Sequence, residues 1–148
     1  MLDVSAKLFR DMQERLDVIG GLGEDVSLIK AVCAEYIIVK VFADFERCLK
    51  RDIVYKYLAN NRDYAMVLLS DDSHKMPKDL NKFVRKMVEL GVVSDECAHA
   101  VTSVSALRND QIAHRAALGS NIAWENVAGY ITGLRTFLES VDAYLGAV

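Results

Sequence analysis

The stretch YIIVKVFADF, residues 36–45, decides the fold class of this chain. It lies in a segment from about Glu24 to Leu58 that contains neither glycine nor proline, the residues that most often interrupt helices. Its apolar side chains fall on nearly all sides of a helix rather than on a single face. This pattern predicts a long central helix that is surrounded by other helices.

Segments on both sides of the central helix predict its neighbours. The motif GGLGED (residues 20–25) ends the first of them, Pro77 suits the first turn of a later helix, and Gly91 ends that helix. Apolar residues recur at intervals of three and four in three segments, as amphipathic helices require: Leu8, Phe9, Met12, Leu16 and Ile19; Leu80, Phe83, Val84, Met87 and Leu90; and Trp124, Val127, Ala128, Ile131, Leu134, Leu138, Val141 and Leu145.

A further helix is predicted from its first turn. Ser94 has the side chain of an N-cap, and Asp95 with Glu96 places negative charge where the helix dipole favours it. This helix is expected to end near residues 117–121. Strand-like alternation is scarce along the chain. We therefore expect an all-α protein, an up-and-down bundle of four to five helices that forms a single domain over residues 1–148.

Composition narrows the classes of partner and compartment. A hydrophobic share of 52% is ample for a core, and a formal net charge of -3 gives no overall attraction for nucleic acid, so polyanion binding needs a local basic patch. Cys33, Cys48 and Cys97 show no paired spacing, and without a signal peptide before them they predict a reducing cytoplasm. The longest apolar run, residues 36–42, is too short to span a membrane, which takes roughly 20 residues.

The motif SALRNDQIAHRAAL, residues 105–118, gathers polar groups that suit chemistry on a phosphate: Arg108, Asn109 and His114. Arg108 and His114 are separated by about 240° and roughly 9 Å on a regular helix, so they do not share one face. The arginine could bend toward the histidine, the helix could be irregular, or a second copy of the chain could bring the groups together. Two such helices packed antiparallel across a twofold axis would place both sets in one cleft.

These three side chains fit cleavage of RNA by its own 2'-hydroxyl. His114, with an ordinary pKa of about 6.5, would move protons, and Arg108 would bind and stabilise the phosphorane. Asn109 would hold an oxygen or position the histidine. The substrate supplies the nucleophile, so no metal or other cofactor is required, and DNA would be spared. The alternative is that Arg108 and His114 are helix-surface residues, with Arg108 paired locally and His114 at a helix end.

LRNDQIAHR, residues 107–115, resembles the signature of the HEPN superfamily, in which an arginine and a polar residue precede a histidine on a late helix of an all-α bundle. The long central helix, whose apolar middle ends in the acidic Glu46, is similar to that architecture. The resemblance implies a metal-independent endoribonuclease that acts as a homodimer with paired motifs in one cleft. It also implies a toxin, antiviral or stress effector, with a cognate antitoxin as a further partner.

One position differs from a toxin branch that is encoded beside nucleotidyltransferase antitoxins. That branch carries a tyrosine two residues after the histidine, where it receives nucleotides, and this chain has Ala116 there. The chain is therefore more similar to a stand-alone branch of the superfamily.

Two further sets of residues are weaker candidates. Glu46 could orient Arg108 or His114, or it could pair with Lys50 one turn further along its own helix. A basic helix face could follow an RNA backbone, or it could be an ordinary solvated face; it comprises Lys78, Lys82, Arg85 and Lys86. Two other functions remain open: a non-catalytic helical dimer, either antitoxin-like or a scaffold, and a nucleotide-binding sensor.

Overall fold

The computed structural model describes residues 1–54, 56–57, 80–113 and 122–147, and within these ranges it contains helices and no strand. This confirms the all-α prediction. None of the described helices combines the length and apolar character that crossing a bilayer requires. Five α-helices have defined bounds, and a π-helical segment, Cys48–Val54, continues the second: α1 Asp3–Gly21, α2 Ser27–Arg47, α3 Leu80–Glu89, α4 Asp95–Ala113 and α5 Trp124–Gly146.

The core forms where α5 packs against both α2 and α4. Phe137 of α5 is fully buried, and its ring centroid lies 5.8 Å from that of Phe45 on α2 and 6.2 Å from that of Phe83 on α3. Phe42 extends this group, 5.6 Å from Phe45. Edge-to-face and tilted aromatic contacts at these distances add to the stability gained from apolar burial. One aromatic group therefore joins three of the helices.

The predicted start of α4 and the predicted end of α3 are confirmed. Ser94 Oγ accepts a hydrogen bond of 3.1 Å from the backbone N–H of Cys97, which is the N-cap geometry expected at the start of α4. Gly91 has a φ of +70° directly after α3, a conformation that favours glycine. Pro77 and the expected end of the α4 segment, residues 117–121, lie outside the described residues.

A buried carboxylate ties α1 to α2. Asp44 accepts hydrogen bonds from the hydroxyl of Ser5 on α1 and, at 3.2 Å, from the ammonium group of Lys40. Arg47 Nη2 lies 3.5 Å from the same carboxylate. Burial acts to raise the pKa of Asp44, but the Ser5 hydroxyl and the two cations outweigh it and hold that pKa below its usual range. The charged carboxylate is thus part of the folded structure.

The central helix differs from its prediction in two ways. α2 ends at Arg47 and continues as the π-helical segment, and α2 is not surrounded on all sides. Its apolar inner face is fully buried, but five large apolar residues on the outer face are between 41% and 66% exposed. We call this set the α2 stripe: Leu28, Ile29, Val32, Tyr36 and Val39. The apolar side chains of α2 lie around nearly its whole circumference, whereas α1, α4 and α5 pack against only part of it.

Candidate functional site

Arg108 and Asn109 are neighbours in sequence but point to different sides of α4. Arg108 follows the buried residues Val101 and Val104 at the next helical interval, which turns its side chain toward the bundle. Asn109 lies about 100° away around the helix and is exposed. The polar motif therefore has an inner part and an outer part.

Arg108 is held by α2. Its Nη1 lies 2.8 Å from Glu46 Oε1, and its Cζ lies 4.5 Å from the centroid of the Phe42 ring. Glu46 follows Phe42 by four residues, so one turn of α2 supplies both the carboxylate and the aromatic face. The side chains of Arg108 and Glu46 are 27% and 39% exposed. The structure thus brings two of the predicted site residues into direct contact across two helices.

One donor of Arg108 has no partner among the described residues. Its Nε is buried and makes no hydrogen bond to the described part of the chain. A buried donor without an acceptor costs about 1–3 kcal/mol, so an unpaired N–H in a folded protein calls for a physical reason. An acceptor that enters between α2 and α4, such as water or a ligand oxygen, would remove this cost.

A groove of about 500 Å³ lies between α3 and α4. Arg85 and Val88 line it from α3, while His99, Ser105 and Asn109 line it from α4. Its wall therefore offers one guanidinium, an imidazole, two hydroxyls, two amides and the carboxylate of Asp95 beside apolar surface. Asn109 lies at the C-terminal end of the α4 wall, one residue from Arg108. The groove joins the outer part of the motif to the helix with the predicted basic face.

That basic face is divided by the geometry of α3. Of the three basic residues of this face that the structure describes, Arg85 lines the groove. Lys82 and Lys86 lie about 60° and 100° further around the helix, on the side away from Val88. Lys78 lies outside the described residues. Arg85 is therefore the basic side chain of α3 that is positioned for a ligand in the groove.

The predicted proton-transfer residue cannot be placed. His114 lies outside the described residues, and α4 is described as far as Ala113. Within the described ranges, no three His, Cys, Asp or Glu side chains form a group that could hold a metal ion. Cys48 and Cys97 are buried, and burial raises the pKa of both thiols.

Sequence reasoning missed the inward orientation of Arg108, although the sequence contains a signal for it. Cys97, Val101, Val104 and Arg108 follow at intervals of four, three and four, so the arginine continues the buried face of α4. Phe42, which contacts the guanidinium, lies in the apolar stretch 36–45, whose pattern does not indicate this contact.

No protein-family profile, curated protein or solved structure matches the chain.

Proposed function

We propose that this chain is a HEPN-like, metal-independent endoribonuclease that acts as a homodimer in the cytoplasm. In this mechanism the 2'-hydroxyl of the RNA attacks the adjacent phosphate, His114 transfers the protons, and Arg108 stabilises the charge that grows on the phosphorane. Asn109 holds a phosphate oxygen or positions the histidine, and Glu46 acts as a positioning residue for Arg108.

The observation that carries the proposal is the fixed geometry of Arg108. A guanidinium that stabilises a transition state must be oriented before the substrate arrives, because reorientation during the reaction would cost free energy. Glu46 and Phe42 fix Arg108 from two directions, at 2.8 Å and 4.5 Å. Its Nε retains an N–H without an acceptor among the described residues. An oriented cation whose side chain is still 27% exposed is suited to bind a phosphoryl oxygen.

The groove between α3 and α4 would hold the RNA strand beside Asn109, the outer part of the motif. Arg85 would bind a backbone phosphate, while Ser105 and Asn109 offer hydrogen bonds to ribose or phosphate oxygens. Because the net charge is -3, binding depends on such local contacts rather than on a general attraction. Ionic strength should therefore weaken binding only modestly, in proportion to the few phosphates contacted.

The biological setting that goes with this activity is that of a toxin or of an antiviral or stress effector, controlled by a cognate antitoxin. Expression of the wild-type chain should then arrest growth, and substitution of Arg108 should relieve the arrest.

A second candidate function is a non-catalytic helical dimer, and the same ion pair favours it. Glu46 neutralises Arg108 within its own chain and joins α4 to α2, as a purely structural pair would. The motif helix would then serve stability, and the exposed α2 stripe would serve assembly.

Incubation of the purified protein with single-stranded and structured RNA, in the presence of a chelator, separates the two functions. The nuclease leaves 2',3'-cyclic phosphate ends, and a substrate with a single 2'-deoxy residue at the cleavage position resists it. His114→Ala and Arg108→Ala should abolish cleavage with helical content unchanged, whereas Arg15→Ala, an exposed arginine on α1, should cleave normally. Intact RNA in every wild-type reaction would instead establish the non-catalytic function.

A further inference from the structure

The outer face of α2 carries an apolar pattern with a regular spacing. Ile29, Val32, Tyr36 and Val39 follow at intervals of three, four and three, and the exposed Ala43 adds a further interval of four. These are the a and d positions of a heptad repeat, the pattern by which two helices pack against each other. Leu28, the most exposed member of the α2 stripe at 66%, flanks the first position.

Such a surface is unusual on a protein that remains a monomer. A contiguous row of exposed apolar side chains on one helix marks a site where another surface covers it, because water contact with that area is unfavourable. The row runs over about 21 Å of helix, which follows from a rise of 1.5 Å per residue. α1, α4 and α5 pack against α2 without covering this row, so no described helix shields it from water.

We propose that the α2 stripe packs against the α2 stripe of a second copy of this chain, in a parallel, in-register helix pair. The proposal specifies the interface of the homodimer that the proposed function includes. It rests on that homodimer and does not depend on RNA cleavage. It assigns the interface to Ile29, Val32, Tyr36, Val39 and Ala43, with a twofold axis parallel to α2.

Charge complementarity at the edges of the stripe argues for a second copy and for the parallel direction. With Ile29 at position a, Glu35 occupies position g and Lys40 occupies position e of the next heptad. Positions g and e five residues apart are the ones that meet between parallel chains. An antiparallel pair, in which a positions face d positions, would instead place Glu35 beside the same residue of the partner subunit, where like charges repel.

In the preceding heptad the g and e positions that meet between parallel chains are both apolar. Leu28 occupies position g and the half-buried Cys33 occupies position e, so the first layer of the interface is flanked by apolar contacts and the second by opposite charges. Lys40 already lies 3.2 Å from Asp44, and its side chain is 40% exposed. A lysine ammonium has three donors and can hold both carboxylates.

The interface ends where the candidate site begins. The next d position is occupied by Glu46, which is bound to Arg108 of its own chain. Association through the α2 stripe therefore leaves this ion pair intact and places it at the end of the helix pair. Each chain retains a complete Glu46–Arg108 pair.

Sedimentation of the full-length protein tests the interface. The wild type should be a dimer, and the double variant V32K/Y36K should raise its dissociation constant by about 100-fold or more, since each buried unpaired charge costs at least about 1.4 kcal/mol. Val4→Lys and Val18→Lys, which change exposed valines on α1, should leave the dimer unchanged. Circular dichroism verifies that all variants keep their helices. A monomeric wild type at about 100 µM, or a V32K/Y36K variant that remains dimeric, overturns the proposal.

Cross-linking tests the direction of the helices. In a Cys33→Ser background, Val39→Cys should form an intermolecular disulfide under mild oxidation, because equivalent d positions of parallel helices lie within disulfide range. In the antiparallel pair, with residue 32 facing residue 36, residue 39 faces residue 29, and a dimer without this cross-link overturns the parallel arrangement. A monomer that cleaves RNA contradicts this proposal alone, whereas a dimer that leaves RNA intact contradicts the nuclease alone.

Discussion

Arg108 on α4 and Glu46 on α2 form an ion pair of 2.8 Å between two helices that are far apart in sequence. The guanidinium also covers the ring of Phe42, one turn before Glu46. These contacts link the polar motif on α4 to the central helix, so the stability of the bundle and the geometry of the candidate site depend on the same side chains.

The first prediction concerns the stability that this pair contributes. A double-mutant cycle of Glu46→Gln and Arg108→Gln should give a coupling free energy of about 1 kcal/mol in urea unfolding, since both side chains are partly buried. The pair between Lys56 and Asp142, at 3.4 Å with a more exposed cation, provides the comparison and should couple less strongly. A value near zero for the first pair would mean that it does not hold α4 to α2.

The second prediction separates positioning from stability. Glu46→Gln keeps an acceptor for Arg108 but removes the charge, so the guanidinium is held less firmly. We expect kcat for RNA cleavage to fall about 10-fold with KM little changed, because the lost interaction acts mainly in the transition state. Glu14→Gln, at an exposed position on α1, is the matched control. Equal kinetics for the two variants would remove Glu46 from the mechanism.

The third prediction concerns the groove between α3 and α4. A 2'-O-methyl RNA oligonucleotide cannot be cleaved, and Arg85→Gln should weaken its binding by about 3- to 10-fold. The slope of log binding constant against log salt concentration should fall by the amount expected for about one lost phosphate contact. Lys82→Gln changes a lysine on the same helix that faces away from the groove, and its effect should be smaller. Fluorescence anisotropy at several salt concentrations measures both. Equal losses would point to a broad basic face instead of the groove.

The helices themselves could be predicted from the sequence because their patterns are local. The apolar spacing of α5 and the N-cap at Ser94 each depend on residues within a few positions of one another. The exposed α2 stripe could not be predicted in this way. YIIVKVFADF is apolar on nearly all sides, and which side stays uncovered depends on where α1, α4 and α5 pack.

The candidate site was accessible to sequence reasoning only in part. The motif identified Arg108, but its inward orientation was missed, although the interval from Val104 carries a signal for it. Its partner was ambiguous, because Glu46 could reach either Lys50 on its own helix or a residue on another helix. Only the packing of α4 on α2 brings Glu46 to Arg108, and that packing is a tertiary property.

The fourth prediction concerns acid stability. The pKa of Asp44 is lowered in the folded protein, so the carboxylate contributes stability above its ordinary pKa of about 3.9, and this contribution is lost as the pH falls through the lower folded value. Asp44→Asn should therefore be less stable than the wild type at pH 7, and the difference should shrink at pH 3. Urea unfolding at both pH values measures it, with Asp11→Asn as an exposed control. A difference that does not depend on pH would contradict the role of the charge.

The fifth prediction concerns the close approach of α4 and α5. A Cβ atom at Gly133 would lie 2.5 Å from Ala100 Cβ, so the helices can pack this closely only because one of the two residues lacks a side chain. Gly133→Ala should destabilise the protein by about 1–3 kcal/mol, as overpacking of a tight contact does. Thermal unfolding followed by circular dichroism measures the loss.

Two companion variants distinguish this contact from a general effect on helix propensity. Gly129→Ala lies one turn earlier on α5 with open space around it, and it should stabilise the helix by up to about 1 kcal/mol. The double variant A100G/G133A moves the methyl group from α4 to α5, which removes the clash while the propensity changes offset each other. Its stability should return most of the way to that of the wild type, and a double variant as unstable as Gly133→Ala would show that the methyl contact is not the cause.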